Sequence, residues 1–158
     1  MPTAEDHLAL TRHNLQVLRH LSTDKQYSDW VVIVAAYAAL HVLEALIFLK
    51  DDKRIRDKHC SDHGAREDVF KNIYPTIWKK YRPLFSASKV ARYLKIEGEQ
   101  GQTFRGYYSD DFVCDKLFKK YFHGVISQVK TILNGSDVLS DIEVEFEKCK
   151  SSLEKTYR

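Results

Sequence analysis

The stretch SDWVVIVAAYAALHVLEALIFLK, residues 28–50, decides the fold of this 158-residue chain. Apart from Tyr37, His41 and Glu44, residues 30–49 contain almost no side chain that prefers water. An apolar run of this length predicts either a membrane span or the central helix of a bundle. His41 and Glu44 lie near its middle, where an ionisable group is costly in lipid. We therefore expect a buried central helix and no association with a membrane.

One face of this helix carries its polar side chains. Tyr37, His41 and Glu44 follow one another at steps of four and three, which places them on the same face. A buried carboxylate needs a partner, because an unpaired charge inside a protein is strongly destabilising. Arg66 lies in the first turn of the next predicted helix, which runs back antiparallel. We predict a buried polar cluster of Tyr37, His41, Glu44 and Arg66, with Arg66 paired to Glu44.

Composition is typical of a soluble globular protein rather than a disordered or fibrous one. Apolar residues make up 44% of the chain and charged residues 30%, and the length fits a single domain over residues 1–158. A net charge of +3 is compatible with a nucleic-acid partner but does not by itself indicate one. Three widely spaced cysteines fit a reducing compartment, and residues 1–10 lack the features of an export signal. We expect a cytoplasmic protein.

Capping and breaking residues place the helices of the first half. Thr3 can begin the first helix through a capping box, and Asp62 can cap the third. Pro75 should interrupt that third helix, and Pro83 should end it. A short helix over residues 86–94 then follows.

The second half contains a loop and two further helices. Residues 95–110 have three glycines and no apolar periodicity, which predicts a surface loop. Asp110 or Asp111 can cap a long helix that Asn134 and Gly135 would stop. A capping box opens the last helix, residues 140–157. No pattern of strands appears, so the predicted fold is an all-α, up-and-down bundle of about five helices.

Two of these helices carry more apolar surface than a small bundle is expected to cover. The last helix has a narrow apolar stripe, and residues 112–122 are rich in aromatic side chains. We therefore predict a homodimer or a stable complex with a partner protein, with residues 140–157 as a candidate interaction helix.

The connector after the central helix contains the candidate catalytic residues. Metal-independent RNA cleavage uses a histidine as general acid or base and an arginine to stabilise the charged phosphorane. Four residues separate Arg54 from His59, and six separate Arg56 from His63. These two pairs are the candidate catalytic residues. Such a reaction requires no cofactor, and we expect none.

Two other kinds of site are weaker alternatives in the same segment. His59, Cys60 and His63 have a spacing that suits zinc, but a fourth ligand is not evident and we assign no metal site. Cys60 activated by His63 would be a nucleophile, but neither a cause for a lowered thiol pKa nor an oxyanion site is visible. For Arg66, Glu44 and His41 the favoured interpretation is structural: an internal ion pair of Glu44 and Arg66, with His41 as a hydrogen-bonded core residue.

Three runs resemble a group of prokaryotic HEPN-domain proteins: YAALHVLEA (37–45), HGARED (63–68) and SKVARY (88–93). In that group a tyrosine-containing central helix is followed by a His-x-x-Arg element and then by a Ser-x-x-Ala-Arg-Tyr element. The likeness covers roughly residues 27–93. It implies a helical bundle that dimerises, often within toxin–antitoxin, abortive-infection or CRISPR-associated systems.

The resemblance also implies two classes of function. Catalytic members of the family are metal-independent ribonucleases that carry an arginine, then a polar residue, then a histidine after four to six positions in total. Other members are binding or scaffolding modules, sometimes beside a nucleotidyltransferase. In this chain the matching arginines and histidines precede the third helix, whereas the family's motif usually lies on a later helix. We therefore expect a module that binds a partner or a nucleic acid in a defence or toxin–antitoxin-type system, with ribonuclease as the alternative.

Overall fold

The structure, a computed structural model, describes residues 2–55, 62–93 and 104–158. Within these ranges the chain forms helices and no strand, which confirms the predicted all-α bundle. The helices are α1 (Ala4–Leu21), α2 (Ser28–Lys50), α3 (His63–Ile73), α4 (Pro75–Tyr93), α5 (Phe104–Tyr107), a π-helix (Phe112–Phe122), α6 (His123–Ile132) and α7 (Ser140–Tyr157), with 3₁₀ turns at Lys25–Tyr27 and Asp137–Leu139.

Helix α2 lies at the centre of the bundle and contacts α1, α4, α6 and the π-helix. By length and composition alone, the segment Lys25–Lys50 would also qualify as a membrane span. However, 78% of its apolar window is buried against other parts of the chain. Burial on several sides explains why this helix is apolar on almost every face.

Two of the predicted helix starts are confirmed by their caps. Thr3 Oγ1 accepts from the backbone N–H of Asp6 at 3.2 Å, and Asp6 Oδ2 accepts from the Thr3 N–H at 2.7 Å. Asp62 Oδ1 accepts from the N–H of Ala65 at 2.8 Å. The Asp62 cap fixes the first turn of α3, which carries His63 and Arg66.

The two prolines of the next segment behave differently from each other. Pro75 divides the segment as predicted, since α3 ends before Tyr74 and α4 begins at Pro75. The prediction that Pro83 ends the helix, with a separate helix over 86–94, is wrong, because α4 continues through Pro83 to Tyr93. Tyr81 before the proline and Leu84 after it are both buried, and this packing outweighs the lost backbone hydrogen bond.

The predicted loop at 95–110 is described only from residue 104, where α5 begins, and residues 94–103 lie outside the described residues. The helix that follows is a π-helix over Phe112–Phe122 and an α-helix from His123. It stops where the sequence predicts, since Asn134 and Gly135 adopt left-handed φ angles of 57° and 72°.

Helix α7 lacks the predicted capping box. No side chain caps its first turn, and Glu143 instead accepts from Lys130 Nζ of α6 at 2.8 Å. The carboxylate of Glu143 thus links α7 to α6 rather than to its own N-terminus.

The apolar stripe of α7 is covered within the chain. Phe146 stacks on Phe118 of the π-helix, with ring centroids 4.6 Å apart and planes at 6°, and it meets Phe122 edge-on. The whole stripe is at most 1% exposed: Ile142, Phe146, Cys149 and Leu153. The stripe that suggested a partner surface on α7 is therefore covered by the chain itself, while the homodimer or partner complex stays a prediction.

Truncating Phe146 should therefore destabilise the isolated chain. We expect Phe146→Ala to lower the free energy of unfolding by about 3–5 kcal/mol, because a fully buried aromatic ring is replaced by a cavity. Val144→Ala, at a 55% exposed position of the same helix, is the matched control and should change it by less than about 0.5 kcal/mol. Urea unfolding followed by circular dichroism measures both variants. Equal midpoints for Phe146→Ala and the parent would show that α7 is not part of the core.

Candidate functional site

The ion pair that the sequence predicts is present between α3 and α2. Arg66 Nε donates to Glu44 Oε1 from the first turn of α3. Glu44 is 2% exposed, and the Arg66 side chain is 15% exposed. Among the described residues, no other group donates to Glu44. Arg66 therefore supplies the compensating charge for a carboxylate inside the bundle.

His63 lies on the outer side of the same arginine. Its Nδ1 is 3.3 Å from Nη1 of Arg66, and its ring lies against Phe85 with centroids 5.7 Å apart. Partial burial lowers the pKa of His63, and the cations Arg66, Arg92 and Lys89 lower it further. The imidazole is therefore mostly neutral at neutral pH.

This contact decides which nitrogen of His63 carries the proton. Arginine is only a donor, so Nδ1 of His63 accepts from Arg66 and the neutral ring carries its proton on Nε2. The nitrogen left for a ligand is thus an N–H donor. In this arrangement His63 can donate to a phosphate oxygen, but it cannot accept a proton until its contact with Arg66 opens.

Tyr37 does not belong to the buried cluster, and this part of the prediction is wrong. Its side chain faces the surface with 39% exposure and accepts from Nη1 of Arg92 at 3.3 Å. The guanidinium of Arg92 also lies 5.7 Å from the Tyr37 ring centroid and 5.1 Å from that of Tyr93. Helical spacing places Tyr37 on the same face as Glu44. However, Arg66 of α3 contacts Glu44 and not Tyr37, so Tyr37 stays exposed.

His41 is half-buried, and its partner is on α1 rather than in the predicted cluster. Its Nδ1 is 3.2 Å from Nδ1 of His7, which is 5% exposed. Burial, the neighbouring His7 and the Arg66 cation lower the pKa of His41 to about 4. Sequence reasoning missed His7, although it shares a helical stripe with the buried residues Thr11 and Leu15 of α1.

The connector residues are only partly described. Arg54 binds Asp52 through both Nε and Nη2, at 2.9 and 2.5 Å, and Tyr74 donates to the same carboxylate at 3.2 Å. The charge of Arg54 is thus compensated by Asp52, whose pKa is lowered by this hydrogen bonding. The candidate residues Arg56 and His59, and Cys60 of the zinc and nucleophile alternatives, lie outside the described residues. Over 2–55, 62–93 and 104–158, no three metal-ligating side chains cluster.

His63 lies next to Arg92 and Tyr37, neither of which is among the predicted catalytic residues. Arg92 Nε donates to the backbone oxygen of Ser88 at 3.3 Å and Nη1 donates to Tyr37, and no carboxylate pairs with Arg92 in the part of the chain that the structure describes. His63, Arg92 and Tyr37 border a cavity of about 10 Å³, which is room for about one water molecule. We call His63, Arg92, Tyr37 and the neighbouring Lys89 the Arg92 site. In the sequence, the run SKVARY contains Lys89 and Arg92, but it supported only the family resemblance and did not predict a site.

Comparisons with protein-family models, with curated proteins and with solved structures find no match to this chain.

Removing Arg66 should destabilise the fold strongly. We expect Arg66→Ala to lower the free energy of unfolding by about 3–5 kcal/mol, because the Glu44 carboxylate is left buried without a cation. Arg82→Ala, which removes an exposed arginine from α4, is the control and should cost less than about 0.5 kcal/mol. The double variant Glu44→Leu/Arg66→Met should be close to the parent, since it removes both charges. An Arg66→Ala variant that unfolds at the parent's urea concentration would contradict the pairing.

Because His41 is partly buried beside His7, we expect the protein to lose stability in acid. The folded state lowers the pKa of His41 to about 4 from its ordinary value of 6.5, so the unfolded state binds more protons between these values. Stability is therefore complete above about pH 6.5 and falls as the pH falls towards 4. Because His41 is only half-buried, we expect the loss to be about 1–2 kcal/mol.

Urea unfolding between pH 7.5 and pH 4, in steps of about half a unit, measures this loss. His41→Gln should flatten the profile, whereas His13→Gln, at an exposed position of α1, should leave it as in the parent. Identical pH profiles for His41→Gln and the parent would show that His41 does not drive the acid destabilisation.

Proposed function

We propose that the chain is a HEPN-like helical module of a prokaryotic defence or toxin–antitoxin-type system, and that it binds RNA without cleaving it. The observation that carries this proposal is the Arg92 site. Its half-buried guanidinium is held by Tyr37 and Ser88, and no carboxylate among the described residues neutralises it. A positioned cation without a carboxylate partner suits a phosphate group.

The tautomer of His63 favours binding over catalysis. Its Nε2–H can donate to a phosphate oxygen beside Arg92, whereas its Nδ1 is occupied by Arg66. The adjoining cavity of about 10 Å³ is too small for a nucleotide. RNA would therefore lie over this surface with a backbone phosphate at the site, rather than enter a closed chamber.

A second candidate function is metal-independent ribonuclease. The lowered pKa of His63 favours it, because a general base has to be neutral at the working pH. In this case Arg92 would stabilise the phosphorane, in place of Arg54 or Arg56, and the contact between His63 and Arg66 would have to open. Cleavage would then depend on both His63 and Arg92.

The resemblance to HEPN proteins also supports an assembly, either a homodimer or a complex with a partner protein such as a nucleotidyltransferase. Since the stripe of α7 is buried, the surface for this assembly must be found elsewhere. Trp30, Tyr37 and Tyr93 are 55%, 39% and 60% exposed, and aromatic side chains of this kind are common at the centre of interfaces.

Binding to a fluorescein-labelled single-stranded RNA tests the proposal. We expect the parent to bind, with an affinity that falls as salt rises from about 50 to about 200 mM. Arg92→Gln should weaken binding about tenfold, because one phosphate contact is lost. Lys116→Gln, an equal change of charge on the exposed face of the π-helix, should leave the affinity within about twofold. Parent protein that does not bind RNA at low salt would refute the proposed function.

The same samples, incubated in EDTA and separated on a denaturing gel, decide between the two candidates. We expect intact RNA with the parent. Cleavage that is lost in both His63→Ala and Arg92→Gln, with the fold retained, would establish the ribonuclease instead.

A further inference from the structure

A second surface lies beside the Arg92 site, in the groove between α3 and α4. This α3–α4 groove has a volume of about 340 Å³ and is lined by Glu67, Lys71, Trp78, Arg82, Phe85, Ser86 and Lys89. The Arg92 site uses only Lys89 of this set. Volumes of a few hundred Å³ are typical of sites that hold one nucleotide-sized group.

The groove combines aromatic rings with an excess of cations. Lys71 Nζ lies 5.2 Å from the ring centroid of Trp78, and Lys89 Nζ lies 4.3 Å from that of Phe85. Arg82, an exposed residue of α4, lines the same groove. Glu67 is the one carboxylate among the described residues that lines the groove, and it offsets the charge of Lys71, from which it is 3.3 Å away. Arg82 and Lys89 are thus available to an anion.

The spacing along α4 orders these groups in a line. Trp78, Arg82 and Lys89 follow one another at steps of four and seven, so they share one face of the helix. Phe85 lines both this groove and the small cavity next to Arg92. The groove and the Arg92 site therefore lie next to each other along α4, with Trp78 in the groove and Arg92 near the C-terminal end of the helix.

We propose that the α3–α4 groove holds an unpaired segment of an RNA strand, with one base stacked on Trp78 and the backbone phosphates on Arg82 and Lys89. This inference rests on the proposed RNA binding. It adds the location of the strand on the protein and the requirement that the strand is unpaired. A base can replace the Lys71 ammonium on the ring of Trp78. In a duplex the base faces are covered, and an acidic peptide would use the cations but has no base for Trp78.

Fluorescence of Trp78 tests the stacking directly. The chain has two tryptophans, so Trp30→Phe leaves Trp78 as the only one, and excitation at the long-wavelength edge of tryptophan absorption avoids emission from the tyrosines. We expect a ten-residue oligouridylate to quench this emission to saturation at low salt, with the same midpoint as binding measured by anisotropy. A duplex RNA of equal length, polyglutamate and uridine monophosphate should each quench it at concentrations at least about tenfold higher. Equal quenching by any one of the three would overturn the proposal.

Substitutions separate the groove from the proposed function as a whole. Trp78→Leu should weaken binding of the labelled strand about tenfold, Trp78→Phe should restore most of it, and Arg82→Gln should weaken it without altering the core. Lys155→Gln, on the exposed face of α7, is the control and should bind as the parent does. If the parent binds RNA and the Trp78 and Arg82 variants bind it equally well, RNA does not bind in the groove, although the proposed RNA binding is supported. If the parent does not bind RNA, both proposals fail.

Discussion

The ion pair between Glu44 and Arg66 is the interaction on which the polar side of this bundle depends. Helix α3 packs mainly on α4, and Arg66 extends from it to a carboxylate buried in α2. Because an uncompensated carboxylate inside a protein is strongly unfavourable, this one contact fixes the position of the first turn of α3. Asp62 caps the N-terminus of the same turn.

The position of that turn determines what the surface can do. Arg66 faces Glu44 with one nitrogen and His63 with another, so a single guanidinium connects the core to the candidate site. The result is a neutral His63 that presents an N–H to the solvent beside Arg92. Helix α4 continues through Pro83, and it therefore carries both Arg92 and Trp78 on one rigid element.

Local rules predicted part of this arrangement, and long-range packing decided the rest. The Asp62 cap and the Glu44–Arg66 pair follow from short-range requirements: an N–H that needs an acceptor, and a buried charge that needs a partner. Tyr37 and His41 share a face with Glu44. Periodicity does not reveal that His41 contacts His7 of α1, whereas Tyr37 stays exposed. Propensity alone predicted that the helix ends at Pro83. The helix continues because the residues next to the proline are buried in the core.

The most direct test of the link between core and surface is the pKa of His63, measured by NMR titration of its ring proton. His63→Gln identifies its signal among the seven histidines. In the parent we predict a pKa below 6.5, and in Arg66→Gln a higher value, because the neighbouring cation is gone while the side chain stays polar. Circular dichroism confirms that the variant is folded. An unchanged pKa of His63 in a folded Arg66→Gln protein would contradict the role assigned to Arg66.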